Sequence, residues 1–327
     1  MCINQIFELS MLLDNDHFRK IIDRVSVKFD CLEEHGEGYI DLSMAEKGIK
    51  VIYRASQYKK KVRLIVNTGL LLDDGSIDGE RLVQKLGKRI AEYFGYKYHL
   101  ENFGLSCMGL AVDIDVGSRE NVSAYLKVMQ RIGRVKGFSP ANYDGFSDSA
   151  NFCLSGNSNG IDFLLYDLEG AVRGQIADTE AGRKKLKSVS EQTKGVLRVE
   201  VRLMKPKAIW AYTDADVIPD QIAELTKNST AIFMDTFARV VPFGNFYKKD
   251  AAMEIIRKKV EDNTMRRKML RLLVLIPEKK SLHLAQKTAG FRDMEKVMEA
   301  FAKINLPPVT LSKRHDVKRL DNFYLYM

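Results

Sequence analysis

The sequence predicts an α+β chain with a basic, mainly helical C-terminal part. Three observations lead there. Segments that alternate apolar and polar residues, the mark of half-buried strands, dominate residues 1–247. Stretches with apolar residues at helical spacing lie between them. The formal net charge of +9 is carried wholly by the end of the chain: from Lys248 onward 19 Lys and Arg face 10 Asp and Glu, whereas residues 1–247 hold 33 of each. A chain of 327 residues is long enough for two domains and a buried core. The charge break places the boundary between 1–247 and 248–327. With 45% hydrophobic and 29% charged residues, the composition is that of an ordinary soluble protein.

The elements follow in chain order. Val25–Asp30 and Lys61–Asn67 alternate and are predicted as strands. Residues 78–94 carry Leu82, Val83, Leu86, Ile90 and Phe94 at helical spacing, with Asp78 placed to cap them. Leu105–Val116 reads as a strand ending in acids, and Ser118 opens a helix that runs to Ile132, with Gly133 near its end. Strand and helix alternate across 60–132, which suggests two related α/β units. Gly137–Asn159 is rich in Gly, Ser, Asn and Pro and is predicted as loop. A strand over 160–167 and a polar, basic linker over 179–194 precede the strand 195–204. Helices are predicted over 217–227 and 229–239, then basic amphipathic helices over 248–275 and 281–303.

Several function classes are excluded or disfavoured. No apolar run approaches the roughly 18 residues of a membrane span. The N-terminus lacks a basic leader and a small-residue cleavage site, so no signal peptide is predicted. Cys2, Cys31, Cys107 and Cys153 have no CxxC spacing and read as reduced thiols of a cytoplasmic protein. The five histidines show no metal-binding spacing, and Ser155 lacks the first glycine of a nucleophile elbow. Neither GxxxxGK[ST] nor GxGxxG occurs. The segregated basic end is the footprint of a polyanionic partner. Lys248, Lys249, Arg257, Lys258, Arg266, Arg267, Arg271, Lys313 and Arg314 are its candidate DNA-binding cations.

Three strands bring chemistry together. Asp113 and Asp115 stand two apart, so both point to one face, and paired carboxylates there suit a hard cation such as Mg²⁺ or Mn²⁺. A solvent-facing strand end is the plainer reading. Arg198, Glu200 and Arg202 alternate against Val199, Val201 and Leu203. That row is either an exposed salt-bridge ladder or a further carboxylate for a metal with cations for a phosphate. In NGIDFLLYDLEG, Tyr166 ends an apolar run. Such a tyrosine is ordinarily a packing residue with a wet tip. Beside a metal or a base it is also a nucleophile for phosphorus, able to form a covalent phosphotyrosine.

The ordered set AVDID…IDFLLYDLEG…LRVEVRL resembles rolling-circle replication initiators, of the filamentous-phage gene II/X type and the trans-acting Rep type of Gram-positive plasmids. Lys61–Asn67 is similar to an early strand of that family, and Ile304–Arg314 to the phage-type ending. The resemblance implies an antiparallel central sheet flanked by helices, related to the HUH endonucleases but without their histidine pair. It implies Tyr166 as nucleophile with Arg198 beside it, Asp113 and Glu200 near a Mg²⁺ or Mn²⁺ ion with Asp115 adjoining, and DNA as partner: an origin duplex or hairpin, single-stranded at the nick. A host helicase and a second copy of the chain are further implied partners, with no membrane. Two departures stand out. Ala111 replaces an expected arginine and Leu168 an expected lysine, which leaves Arg173 or Arg202 to supply positive charge. The expected function is a metal-dependent nicking-closing endonuclease, initiator or relaxase, of a phage, plasmid or conjugative element. A catalytically silent DNA-binding protein on the same fold is the alternative, and a basic α+β protein with coincidental motif order the third.

Overall fold

Strict alternation builds much of the sheet. In Asn4–Leu13 (β1), Phe7, Leu9 and Met11 are buried while Ile6 and Leu12 are exposed. The same two-residue period runs through Ile49–Ala55 (β3) and Lys60–Asn67 (β4), beside the short edge strand Gly38–Asp41 (β2), where Tyr39 and Ile40 are both exposed. It holds along Val196–Leu203 (β9) and over the last residues of Gly104–Asp115 (β5); Ser139–Pro140 (β6) and Asn151–Gly156 (β7) lie toward the far edge, and Ile161–Asp167 (β8) is buried on both faces from Ile161 to Tyr166. All nine join one sheet in the order β2-β3-β4-β1-β5-β9-β8-β7-β6, every neighbouring pair antiparallel. The architecture, seen in a computed structural model that describes residues 2–24, 38–56, 59–73, 78–142, 151–175 and 180–327, is therefore α+β: a large antiparallel sheet flanked by helices.

Helices flank the sheet, most of them on one face. Thirteen are described. The first eight are Asn15–Arg24 (α1), Thr68–Leu72 (α2), Gly79–Phe94 (α3), Arg119–Gln130 (α4), Leu168–Arg173 (α5), Glu180–Gln192 (α6), Pro206–Trp210 (α7) and Ile218–Lys227 (α8). Ser229–Val240 (α9), Lys249–Lys259 (α10), Asn263–Lys279 (α11), Leu282–Ala289 (α12) and Met294–Lys303 (α13) complete the set. The apolar stripe of α3 (Leu82, Leu86, Ile90, Phe94) and those of α4 and α9 meet the buried face of the sheet in one core. Each buried Phe there, such as Phe163, Phe233 or Phe237, contributes about 1.5–3 kcal/mol by leaving water. The predicted caps hold: Asp78 accepts from the Glu80 N–H and Ser118 from the Asn121 N–H, each at 3.1 Å.

The C-terminal helices share that core. Leu272, Leu273, Phe301 and Phe323 belong to the same buried cluster as the sheet residues. Phe246–Tyr247 (β10) pairs with Arg319–Leu320 (β11), and the Tyr125 hydroxyl donates to the Asp321 carbonyl at 2.7 Å. The segment Leu306–Leu311 is buried. It passes so close to Gly244 (φ +125) that a Cβ there would lie 2.6 Å from the Leu306 nitrogen.

Several sequence expectations are corrected. The loop predicted over 137–159 contains β6 and β7, because its few apolar residues pair with β8. The linker over 179–194 contains α6. The helix over 248–275 is two, broken at Val260, after which Asp262 caps α11 by accepting from the Thr264 N–H at 2.8 Å. The helix over 281–303 is also two, separated by Gly290 in the left-handed region. Strand and helix do alternate across 60–132, as β4, α2 and α3, β5 and α4. In the sheet the first strand of each half lies beside its last, β1 beside β4 and β5 beside β9, and β1 joins β5 at the centre. The strand predicted over Val25–Asp30 lies outside the described residues.

Candidate functional site

Strand register assembles the site on the face of the sheet opposite the main core. Asp113 on β5 lies across from Arg198 on β9, and Arg198 lies across from Tyr166 on β8. One step along, Ala111, Glu200 and Leu164 form the next row; beyond it come Gly109, Arg202 and Asp162. The register thus brings Asp113, Tyr166, Arg198 and Glu200 together. Asp115 shares their face but stands a row further out, opposite Val196, where its carboxylate accepts from the Gly117 N–H at 2.8 Å.

The side chains form one network. Arg198 grips Asp113 in a two-pronged ion pair, Nε to Oδ1 at 2.6 Å and Nη2 to Oδ2 at 2.8 Å. Arg202 holds Oε2 of Glu200 through Nε at 2.8 Å and Nη2 at 2.5 Å. The Tyr166 hydroxyl donates to the other oxygen, Oε1, of Glu200. Burial, reinforced by the Glu200 charge, pushes the Tyr166 pKa well above the usual phenol value. At neutral pH Tyr166 is a phenol.

A small apolar cover explains that burial. Tyr166 is only 5% exposed. It packs in a satellite cluster with Cys153, Leu164, Leu168 and Val172, closed by Leu186 and Val189 of α6. α5 starts directly after β8, capped by Asp167, whose carboxylate accepts from the Glu169 N–H at 3.1 Å. Glu169 is itself buried and held by Arg119 of α4 and Arg173 of α5. Leu168 therefore serves as packing beneath the cover. Arg202 brings positive charge to Glu200; Arg173 is committed to Glu169 and to Ser190.

Small residues open a cleft beside this network. Gly109 and Ala111 keep β5 low, leaving a cavity of about 360 Å³ walled by Asn4, Asn67, Arg198, Glu200 and Arg202. A neighbouring cavity of about 220 Å³ is lined by Arg54, Lys61, Arg63 and Glu8. Arg54 and Lys61 are direct cross-strand partners, an arrangement that favours an anion between them. Asn67, at the end of the similar early strand, caps α2 by accepting from the Leu70 N–H at 3.1 Å.

The carboxylates on this face are already occupied. Both oxygens of Asp113 are taken by Arg198, and those of Glu200 by Tyr166 and Arg202. Among the described residues no three or more His, Cys, Asp or Glu side chains gather around a common point. Arranged in this way, Asp113, Asp115 and Glu200 do not fit Mg²⁺ or Mn²⁺. A residue that sequence reasoning passed over is Asp162, buried on the same face and accepting from Ser155 Oγ at 2.7 Å. Its signal was its spacing, four residues before Tyr166.

The basic end divides into cations with different tasks. Arg257, Arg267, Arg271, Lys313 and Arg314 are exposed. Lys258 pairs with Glu254 at 2.7 Å, and Arg266 donates to the Val260 carbonyl at 2.8 Å. Lys248 and Lys249 are half-buried at the start of α10. No described helix is long and apolar enough to cross a membrane. No family model matches the chain, and neither a curated protein nor a solved structure is detectably similar to it.

Proposed function

We propose that this chain is a DNA-binding replication protein of the rolling-circle initiator kind, which nicks and rejoins a strand through Tyr166. The observation that carries the reading is the contact between the Tyr166 hydroxyl and Glu200, flanked by Arg198 and Arg202. This is a nucleophile in hydrogen-bond contact with a base that a third group orients. In the proposed step the phenol oxygen attacks phosphorus as Glu200 takes its proton. The bond from phosphorus to the 3′ oxygen breaks, and that oxygen leaves with a proton from water. Tyr166 keeps the 5′ phosphate, and the reverse reaction rejoins the strand. Arg198 and Arg202 offset the charge that builds on the phosphate. Access requires the α5–α6 cover to lift from Tyr166.

DNA binding without cleavage is the second reading. The burial of Tyr166, Leu168 packed against it and carboxylates already neutralised by arginine favour that reading. One experiment separates the two. The protein is incubated with supercoiled DNA of the element that encodes it, with and without Mg²⁺ or Mn²⁺, then denatured. A covalent protein–DNA adduct that disappears in Tyr166→Phe is the expected result. Salt-dependent binding with no adduct under any condition sinks the nicking step and leaves the binding reading. No DNA affinity sinks both.

A further inference from the structure

A cavity of about 550 Å³ lies on the helical side of the sheet, away from Tyr166. It forms where the turn after α4 meets α9, α12 and α13. That turn is clamped in place. The Leu282 and His283 N–H groups donate to the Arg131 and Ile132 carbonyls at 2.6 and 3.3 Å. Gly133 (φ +72) lets the backbone approach so closely that a Cβ would lie 2.9 Å from Ser281 Oγ. The rim carries Arg134, Lys136, Arg239 and His283, and among the described residues no Asp or Glu lines the cavity. Arg239 is steadied 5.2 Å above the Phe138 ring.

Three permanent cations around one hollow repel each other, and an anion relieves that repulsion. Arginine matches the geometry of phosphate oxygens best. The walls beneath the rim are apolar, with Leu282 buried and Met298 half-buried, and Gln286 offers both an amide donor and an acceptor. The volume lies within the range of about 300–1,000 Å³ that holds small ligands. An anionic group at the rim, a flat ring between apolar walls and an amide for its edge describe one ligand chemistry. We propose that this cavity binds a nucleoside phosphate, supplied as a free nucleotide or as the 5′ end of a nucleic-acid strand.

Calorimetric titration of the full chain tests this, using ADP, adenosine, inorganic phosphate and a short single strand with or without a 5′ phosphate. ADP is expected to saturate the site, with adenosine and phosphate at least about tenfold weaker. The Arg134→Ala/Lys136→Ala variant is expected to weaken ADP at least about tenfold, with its melting temperature unchanged, since both side chains are exposed. Met298→Trp, which fills the apolar end and keeps every charge, is expected to weaken it as well. If ADP fails but the 5′-phosphorylated strand binds, and this is lost in both variants, the source is a strand end. Neither ligand binding, both variants binding like the parent, or phosphate binding as tightly as ADP overturns the proposal. Because the cavity is remote from Tyr166, these variants leave adduct formation intact, so the two proposals fail independently.

Discussion

Tyr166 and Glu200 share a single hydrogen bond, and its energetics are open to test. Tyr166→Phe removes a donor to a shielded carboxylate that keeps Arg202, so unfolding is expected to become easier by about 1–2 kcal/mol in urea titrations. The pH dependence is also expected to change. Burial raises the folded-state pKa of Tyr166 above the unfolded phenol's value of about 10. The unfolded chain therefore releases that proton first, so this contribution is complete below pH of about 10 and is lost as pH rises further. The Phe variant should lose stability less steeply in alkali; an unchanged slope would show that the phenol is not held protonated. Thiols offer a parallel test. Burial pushes Cys107 and Cys153 up to about 12, whereas Cys2 is exposed. In native protein at neutral pH a thiol reagent is expected to label Cys2 quickly, and Cys107 and Cys153 only on unfolding. At this scale much was legible: a period of two put Asp113 with Asp115 and Arg198 with Glu200 and Arg202, and the family resemblance drew Tyr166 to them. Which arginine would take which carboxylate was not, because that depends on register between strands about 30 to 85 residues apart in sequence.

The α5–α6 pair is the element on which access to Tyr166 depends. Its cluster is a satellite of the main core, held by a few side chains from each side. Such a unit opens at lower free energy than the central strands, so α6 amides are expected to exchange faster than those of α4. Leu186→Asp should go further by placing a charge against the cluster. Tetranitromethane followed by peptide mapping is expected to spare Tyr166 in the parent and to nitrate it in this variant, with circular dichroism otherwise unchanged. Protection of Tyr166 in both proteins would mean that α6 is not what covers it. The reason α6 read as a linker is now physical. EAGRKKLKSVSEQ has only Leu186 and Val189 to bury, too narrow a stripe to signal a helix, and it earns its place only by closing over a neighbouring strand. β7 was hidden likewise: Phe152, Cys153 and Leu154 form a run too short to declare a strand until β8 pairs with it. Long elements with full stripes, such as α3 and β5, were legible because their burial pattern repeats several times.

Across the whole molecule, charge and packing divide differently. The charge surplus begins at Lys248, yet the core runs through that point into Leu272, Phe301 and Phe323. The basic helices are thus fixed to the sheet, and their cations are held at set positions on one body. Only some of those cations are placed to meet DNA under the proposed function. Each phosphate neutralised releases counterions, so log affinity falls with log salt by about 0.9 per contact on duplex DNA. Arg267 and Arg271 are exposed on α11, and Arg271 lies 5.6 Å from the Phe291 ring centre. Replacing both with alanine is expected to flatten the salt slope by about 2, measured by fluorescence anisotropy on a labelled duplex between about 50 and 200 mM salt. Arg266 makes the opposite case. Its guanidinium donates to the Val260 and Glu261 carbonyls, at 2.8 and 3.1 Å, and ties the break between α10 and α11. Arg266→Ala is expected to lower the melting temperature while leaving the slope within about 0.5 of the parent. If the Arg267/Arg271 replacement leaves the slope untouched, the basic end is a solvated helical surface, and the proposed DNA contact falls to the sheet face alone.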